Sequence, residues 1–403
     1  MLTDHLNRPF LALHAAVAIA ALFAQSASAA KFRDVTESHL PVPALEGLSM
    51  DAKPADVDGD GDLDMIVASE FRPNLLLIND GQGVFSDQST ERLPAAEHDS
   101  EDIGVGDFDG DGDVDIVIVS EDDQVNELHL NDGSGHFTDA TDGLPVTGTS
   151  NAVQVADLSG DGHPDILIGN NGQNRFLLND GKGGFTDATA KRLPERDDVT
   201  QDLELGDVDG DGDADLLVGN EDDNQLLIND GKGHFSAQPD RLPLRDTPEE
   251  TREADFGDID GDGDLDILFA NIRGFVADAD PQNRLLLNDG QGQFEDVTAA
   301  RLPADSDRCF DGDFIDVDAD GDLDIVTSNA NRGDGPRRIA VTPWRVYLND
   351  GSGQFTEGTD SVLPDSAAGR GFDVEAGDFD GDGRLDLYLA SRRGTDRLLL
   401  GIP

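Results

Sequence analysis

The sequence predicts an all-β fold: a seven-bladed β-propeller with four-stranded blades, its last blade completed by the N-terminal strand. A nine-residue Asp-x-Asp-x-Asp-Gly-x-x-Asp pattern recurs with starts at Asp56, Asp107, Asp157, Asp207, Asp258, Asp316 and Asp378. The spacings are 51, 50, 50, 51, 58 and 62 residues, the length of a propeller blade. Every segment around the pattern reads as strand.

Within a repeat the strands follow in a fixed order. A short strand such as Ile103 to Gly106 leads into the Asp-rich loop. The next is a continuous apolar run, Ile116-Val117-Ile118-Val119 in one copy and Ile166-Leu167-Ile168 in another, as a strand covered on both faces requires. A third strand, for example Leu75 to Ile78, ends in Asn-Asp-Gly, a hairpin signal because the turn needs positive φ. The fourth starts at an aromatic: Phe85, Phe137, Phe185, Phe235, Phe294 or Phe355. The last repeat stops after its third strand, at Leu398-Leu399-Leu400. Phe32-Arg33-Asp34-Val35-Thr36 matches the fourth-strand segment Phe294-Glu295-Asp296-Val297-Thr298. The N-terminal segment should therefore close the ring and remove its open edge.

The chain has 403 residues and a formal net charge of −58, with 86 acidic against 28 basic residues. That balance excludes nucleic acid as a partner, since phosphate binding needs a basic face. Residues 1–29 read as a secretory signal: Arg8, an apolar run from Phe10 to Ala24, then the small-residue pattern Ala27-Ser28-Ala29. Residues 30–403 form the propeller, expected to be a monomer, exported to the periplasm or beyond, with no transmembrane segment after cleavage. Cys309 is the only cysteine, so no disulfide joins two parts of the chain.

The seven loops hold 32 of the 86 carboxylates, and so many acids in so few residues call for a hard cation. The expected ligands are side chains at positions 1, 3, 5 and 9 and the backbone carbonyl of position 7. The loops are Asp56, Asp58, Asp60, Asp62 and Asp64; Asp107, Asp109, Asp111, Asp113 and Asp115; Asp157, Ser159, Asp161, His163 and Asp165; Asp207, Asp209, Asp211, Asp213 and Asp215; Asp258, Asp260, Asp262, Asp264 and Asp266; Asp316, Asp318, Asp320, Asp322 and Asp324; and Asp378, Asp380, Asp382, Arg384 and Asp386. An all-oxygen shell of this kind suits Ca²⁺, at about seven sites. An EF-hand would need a Glu at position 12, where Val67, Ile118, Ile168, Val218, Phe269, Thr327 and Leu389 stand instead. Ser159 removes a charge and should make the third site the weakest.

These loops and blades resemble the FG-GAP/VCBS repeats of the integrin α-subunit propeller and of many bacterial exported proteins. The resemblance covers essentially the whole mature chain and implies that each loop joins the first and second strands of a blade and holds Ca²⁺. It implies two function classes: a binding or adhesion module for a protein or glycan, or a calcium-dependent polysaccharide lyase or hydrolase.

Strand alternation places the Asp loops and Asn-Asp-Gly turns on one face. The opposite face carries the insertions, Ile272 to Gln282 and Asn331 to Thr342. Arg308, Arg332, Arg337, Arg338, Arg370, Arg392 and Arg393 belong to loops and connectors there, a candidate site for an anionic ligand such as a carboxylated polysaccharide. Trp344 and Tyr347 are expected in the core, and Arg332-Gly333-Asp334 carries no weight by itself. No local catalytic signature occurs, which leans the reading toward binding.

Overall fold

In the second repeat, four consecutive antiparallel strands run Phe137–Asp139, Glu127–Asn131, Asp115–Ser120 and His98–Gly106 from rim to centre. The computed structural model describes residues 31–41, 45–245, 247–330, 344–367 and 369–403. It repeats this unit seven times around a ring. The inner strands are Glu46–Ala55, His98–Gly106, Ser150–Ala156, Asp198–Gly206, Thr251–Gly257, Cys309–Ile315 and Gly371–Gly377. The strand after each loop is buried along its length, as in Asp115–Ser120 and Asp266–Asn271, because it lies between neighbouring blades. Trp344 and Tyr347 are core residues, 1% and 2% exposed.

Closure follows the expected pairing. Lys31–Asp34 lies antiparallel to Arg397–Ile402, with Phe32 opposite Gly401 and Asp34 opposite Leu399. Phe32 is buried, packed with Leu387 and Leu399 of the blade that it completes. Residues 1–29, expected to be a secretory signal, and Arg332, Arg337, Arg338 and the Arg332-Gly333-Asp334 tripeptide lie outside the described residues.

The inner strands are longer than the sequence indicated, and each carries a β-bulge two residues from a buried small residue, as between Ser100 and Asp102 or Thr251 and Glu253. A bulge re-aims one side chain. Here it turns Met50, Glu101, Asn151, Gln201, Arg252, Phe310 and Phe372 into the central channel.

A buried aspartate marks the joint between the last and first blades. Asp396 is fully buried and accepts hydrogen bonds from Ser49 Oγ at 2.7 Å, Tyr388 Oη at 2.8 Å and the Ser391 N–H at 2.8 Å. At the corresponding place in other blades an asparagine (Asn74, Asn126, Asn174 or Asn224) takes the same backbone N–H. Burial pushes the Asp396 carboxyl up to about 7. Its folded pKa therefore exceeds the unfolded value of about 3.9, and its contribution to stability falls as pH rises from about 4 to 7. Asp396→Asn should match the parent below pH 4 and gain about 1–2 kcal/mol above pH 7, with Nδ2 donating to Ser49 and Tyr388. Denaturant unfolding of both proteins at pH 4 and pH 8 checks this; an unchanged difference would refute it.

Candidate metal centres and central channel

Each Asp loop is wound by its own carboxylates. The position-1 aspartate accepts the N–H of the position-6 residue in all seven loops, as from Gly112 to Asp107 at 3.1 Å. The position-5 aspartate accepts the N–H of position 7, as from Asp113 to Asp111 at 3.1 Å. Gly112 reaches its bond at φ +98°, open to a residue without Cβ.

The position-9 aspartate joins the loop to the sheet. Asp115 is fully buried, with one oxygen on the Phe108 N–H at 2.8 Å and the other on the third-strand Asn131 N–H at 2.8 Å. Asp64, Asp215, Asp266 and Asp324 repeat the arrangement. Burial raises these carboxyls to about 7, and Asp115, Asp165 and Asp386 to about 6. Two N–H groups do not offset the desolvation of a buried charge, so the site favours a proton or a cation.

Position 3 supplies the open valence. Arg92 and Arg301, each from the short helix that ends its blade, and Arg241, from the turn at the same place, hold Oδ2 of Asp58, Asp260 and Asp209 at 3.2, 3.5 and 3.1 Å. The other oxygen, Oδ1, of Asp58 and of Asp209 is buried without a hydrogen-bond partner, as is Oδ1 of Asp318. In the first, second and fourth loops, one oxygen from each of positions 1, 3 and 9 lies within 4.8 Å of the other two. These acidic clusters could hold a metal ion, and the partnerless oxygens fit a hard cation.

Two loops depart. In the third, the Ser159 N–H takes Asp165 at 2.9 Å, where other loops use the position-2 N–H, and the Ser159 hydroxyl is buried without a partner. In the seventh, the Arg384 guanidinium pairs with the position-5 carboxylate Asp382 and reaches the Gly401 carbonyl at 3.3 Å. The sequence singled out only the third loop; this built-in cation sets the seventh apart as well.

The turn asparagine locks neighbouring loops together. Asn131 Nδ2 donates to Val114 O of its own blade at 3.0 Å and to Val57 O of the preceding loop at 2.7 Å. Asn79, Asn179, Asn288 and Asn349 make the same pair of bonds, Asn79 to Phe379 across the closure. The turn glycine Gly133 sits at φ +77°, which disfavours a side chain, and a Cβ there would also displace the Asp113 carboxylate.

A channel of about 2580 Å³, lined by all seven inner strands, runs from the loop face to the opposite face. Two of its tiers hold ten carboxylates: Asp51, Asp102, Asp202, Glu253, Asp311 and Asp373, then Glu204, Asp255, Asp313 and Glu375. Several bind the next blade. Asp373 accepts the Ala52 N–H at 3.1 Å, Asp102 that of Val153, Asp202 that of Ala254 and Asp255 that of Phe314. Burial, then mutual repulsion, pushes Asp51 up to about 8 and Glu253, Asp313 and Asp373 well above the carboxylate range. Lys53 lies 3.1 Å from Glu375 and is held firmly charged by it. Sequence reading missed these acids, although they sit five and three residues before each loop.

Of the candidate arginines, Arg308, Arg370 and Arg392 do converge, lining the channel on the face opposite the loops. With them are Phe310 and Phe372, stacked with centroids 4.3 Å apart; Arg308 lies over the first ring and Arg392 over the second. Arg392 also forks onto Glu70. The side chain of Arg393 is outside the described residues. Phe275, on the fifth-blade insertion, is 78% exposed and sits under Arg252.

No curated protein matches the chain. Among solved structures it is similar to YCF48 bound to D1 peptide, with TM-score 0.55, 9% identity, and 93% of this chain and 96% of that one covered. It is also similar to BBS1N in complex with ARL6DN, with TM-score 0.54, 11% identity, and 92% and 96% covered. A third is the extracellular domain of a putative hybrid two-component system, BT4673, from B. thetaiotaomicron, with TM-score 0.54, 12% identity, and 92% and 39% covered. These likenesses concern the fold. The FG-GAP-like repeat matches residues 56–118, 107–168, 157–218, 207–269, 275–327 and 330–389, and the chain belongs to that family.

Proposed function

We propose that this protein is an exported, calcium-stapled propeller that acts as a binding module, with its ligand site at the channel mouth opposite the Asp loops. The observation that carries the calcium reading is the set of buried position-3 oxygens without a partner, beside the position-1 and position-9 carboxylates. Oxygen-only ligands on a loop wound by its own backbone fit Ca²⁺ better than the small, rigid Mg²⁺ shell. Export, to the periplasm or beyond, is supported by the pattern of residues 1–29 and by millimolar calcium outside cells. Among the described residues, no helix is long and apolar enough to cross a membrane.

The ligand reading rests on Arg308, Arg370 and Arg392 beside the stacked Phe310 and Phe372, an anion-directed, flat-faced surface. It favours a carboxylated glycan or an acidic protein segment. Two similar propellers were solved with a peptide and with a protein partner, D1 and ARL6DN, so the scaffold accommodates such faces. Binding is favoured over lyase or hydrolase chemistry because the groups that converge with the stacked rings are arginines, which stay charged and are poor proton donors or acceptors.

Extracellular calcium modules bind at about 10⁻⁴ to 10⁻³ M, so at about 1 mM each occupied site adds about 0.4 to 1.4 kcal/mol. Thermal unfolding should therefore shift upward by many degrees between EDTA and millimolar calcium; an unchanged melting temperature would refute the stapling. In equilibrium dialysis, Ser159→Asp and Arg384→Ala should each tighten one weak site and leave the others unchanged. Binding of polygalacturonate should fall at least tenfold in the double variant Arg308→Ala, Arg370→Ala, with melting unchanged. Equal binding by parent and variant would remove this face as the site.

A further inference from the structure

We propose a divalent-cation site of a different kind on the face opposite the Asp loops, formed by Asp99, Glu121 and Asp122 of the second blade. One carboxylate oxygen from each lies within 4.8 Å of the others. Acids that gather on a surface do not by themselves make a site. Asp99 is the independent observation: it is only 2% exposed, and its Oδ1 is buried with no hydrogen-bond partner. Its other oxygen accepts the Asp122 N–H at a long 3.3 Å.

The fifth blade shows what a satisfied acid looks like at this place. Glu250 precedes Thr251 as Asp99 precedes Ser100, at the outer end of an inner strand whose bulge follows at once. The Glu250 carboxylate, also fully buried, accepts the N–H groups of Gly274, Phe275 and Val276 at 2.7 to 3.0 Å and pairs with Arg252 at 3.0 Å. These contacts outweigh burial and hold its carboxyl below the usual range. The three N–H groups come from the long insertion of that blade, which the second blade lacks, and Arg252 from the inner strand itself. Asp99 is surrounded instead by Glu101, Glu121, Asp122 and Asp123; Arg252 of the channel acts on Glu101 and Glu121 but is paired with Glu221 and Glu250, and the nearby imidazole of His98 is engaged by Asp123 and Glu127.

A buried carboxylate with like charges around it needs a proton or a cation. Three converging carboxylates with an orphaned oxygen, and no sulfur or free imidazole among them, describe a hard-cation shell. Asp122 is exposed and Glu121 lines the channel, so an ion here keeps coordination positions open to water at the mouth. The site uses no residue of the seven loops and stands or falls independently of them.

The test is equilibrium dialysis of the full mature protein against calcium, counting bound ions in the parent, Asp99→Asn, Glu121→Gln and the loop variant Asp109→Asn. Asp99→Asn and Glu121→Gln should each lose one bound ion, and their double variant should lose the same one. The double variant with Asp109→Asn should lose two. In EDTA, Asp99→Asn should melt at or above the parent, because it removes a like charge, so a lost ion cannot be ascribed to unfolding. If the loops bind nothing, the parent count becomes one and Asp99→Asn abolishes it. Should Asp99→Asn and Glu121→Gln both retain the parent count, the cluster is neutralised by protons and the site does not exist.

Discussion

The structure depends on one buried carboxylate, repeated seven times: the aspartate that ends each loop. Asp115 grips the first turn of its loop through Phe108 and the third strand through Asn131, both at 2.8 Å. It therefore sets where the loop leaves the sheet and where the third strand stops. Holding a charge there opposes burial, as its upward pKa shift records. The neighbouring carboxylates of positions 3 and 5, Asp109 and Asp111, add a repulsion that a cation would relieve. Loop geometry and the proposed metal affinity thus follow from one placement.

The joints between blades use the same chemistry. Apart from short ladders to the preceding blade at the outer ends of Glu46–Ala55, His98–Gly106 and Asp198–Gly206, an inner strand pairs only with the second strand of its own blade, and N–H groups on its other edge need an acceptor. Asp102 supplies one to Val153 and Asp202 one to Ala254, each reaching across to the next blade. On the loop face, Asn131 ties Val57 to Val114. The acidity of the channel is, in this view, first a device for closing a ring of sheets. The charge crowding that results is relieved by raised pKa values and by Lys53.

The repeats, the strand order and the closing strand were legible because each is a local pattern at a fixed period. The loop ligands were legible for the same reason. The channel acids were not, though Asp51, Asp102, Asp202, Asp311 and Asp373 all sit five residues before a loop. In a chain this acidic they look like ordinary surface charge. Only the bulge, which no sequence pattern announced, shows that these positions face inward. The arginines were legible as a cluster after position 300, yet the Phe310–Phe372 stack beside them was not, since each phenylalanine alone reads as core.

The third loop shows how tightly these parts are coupled. Serine at position 159 leaves Arg192 no carboxylate, and that arginine lies over the Phe176 ring instead. The loop start shifts, so Leu158 donates to Ala156 O and the Ser159 N–H takes over the grip on Asp165. Asn229, whose counterparts each bond two carbonyls, bonds only that of Ala214 among the described contacts. In this loop, where Ser159 and His163 replace two aspartates, the ion pair, the position-2 contact and one interblade hydrogen bond are all missing from the described contacts. Had the aspartates served metal binding alone, such a change would have weakened a site and left the joint intact. That the joint changes with it argues that loop charge and ring closure are a single device.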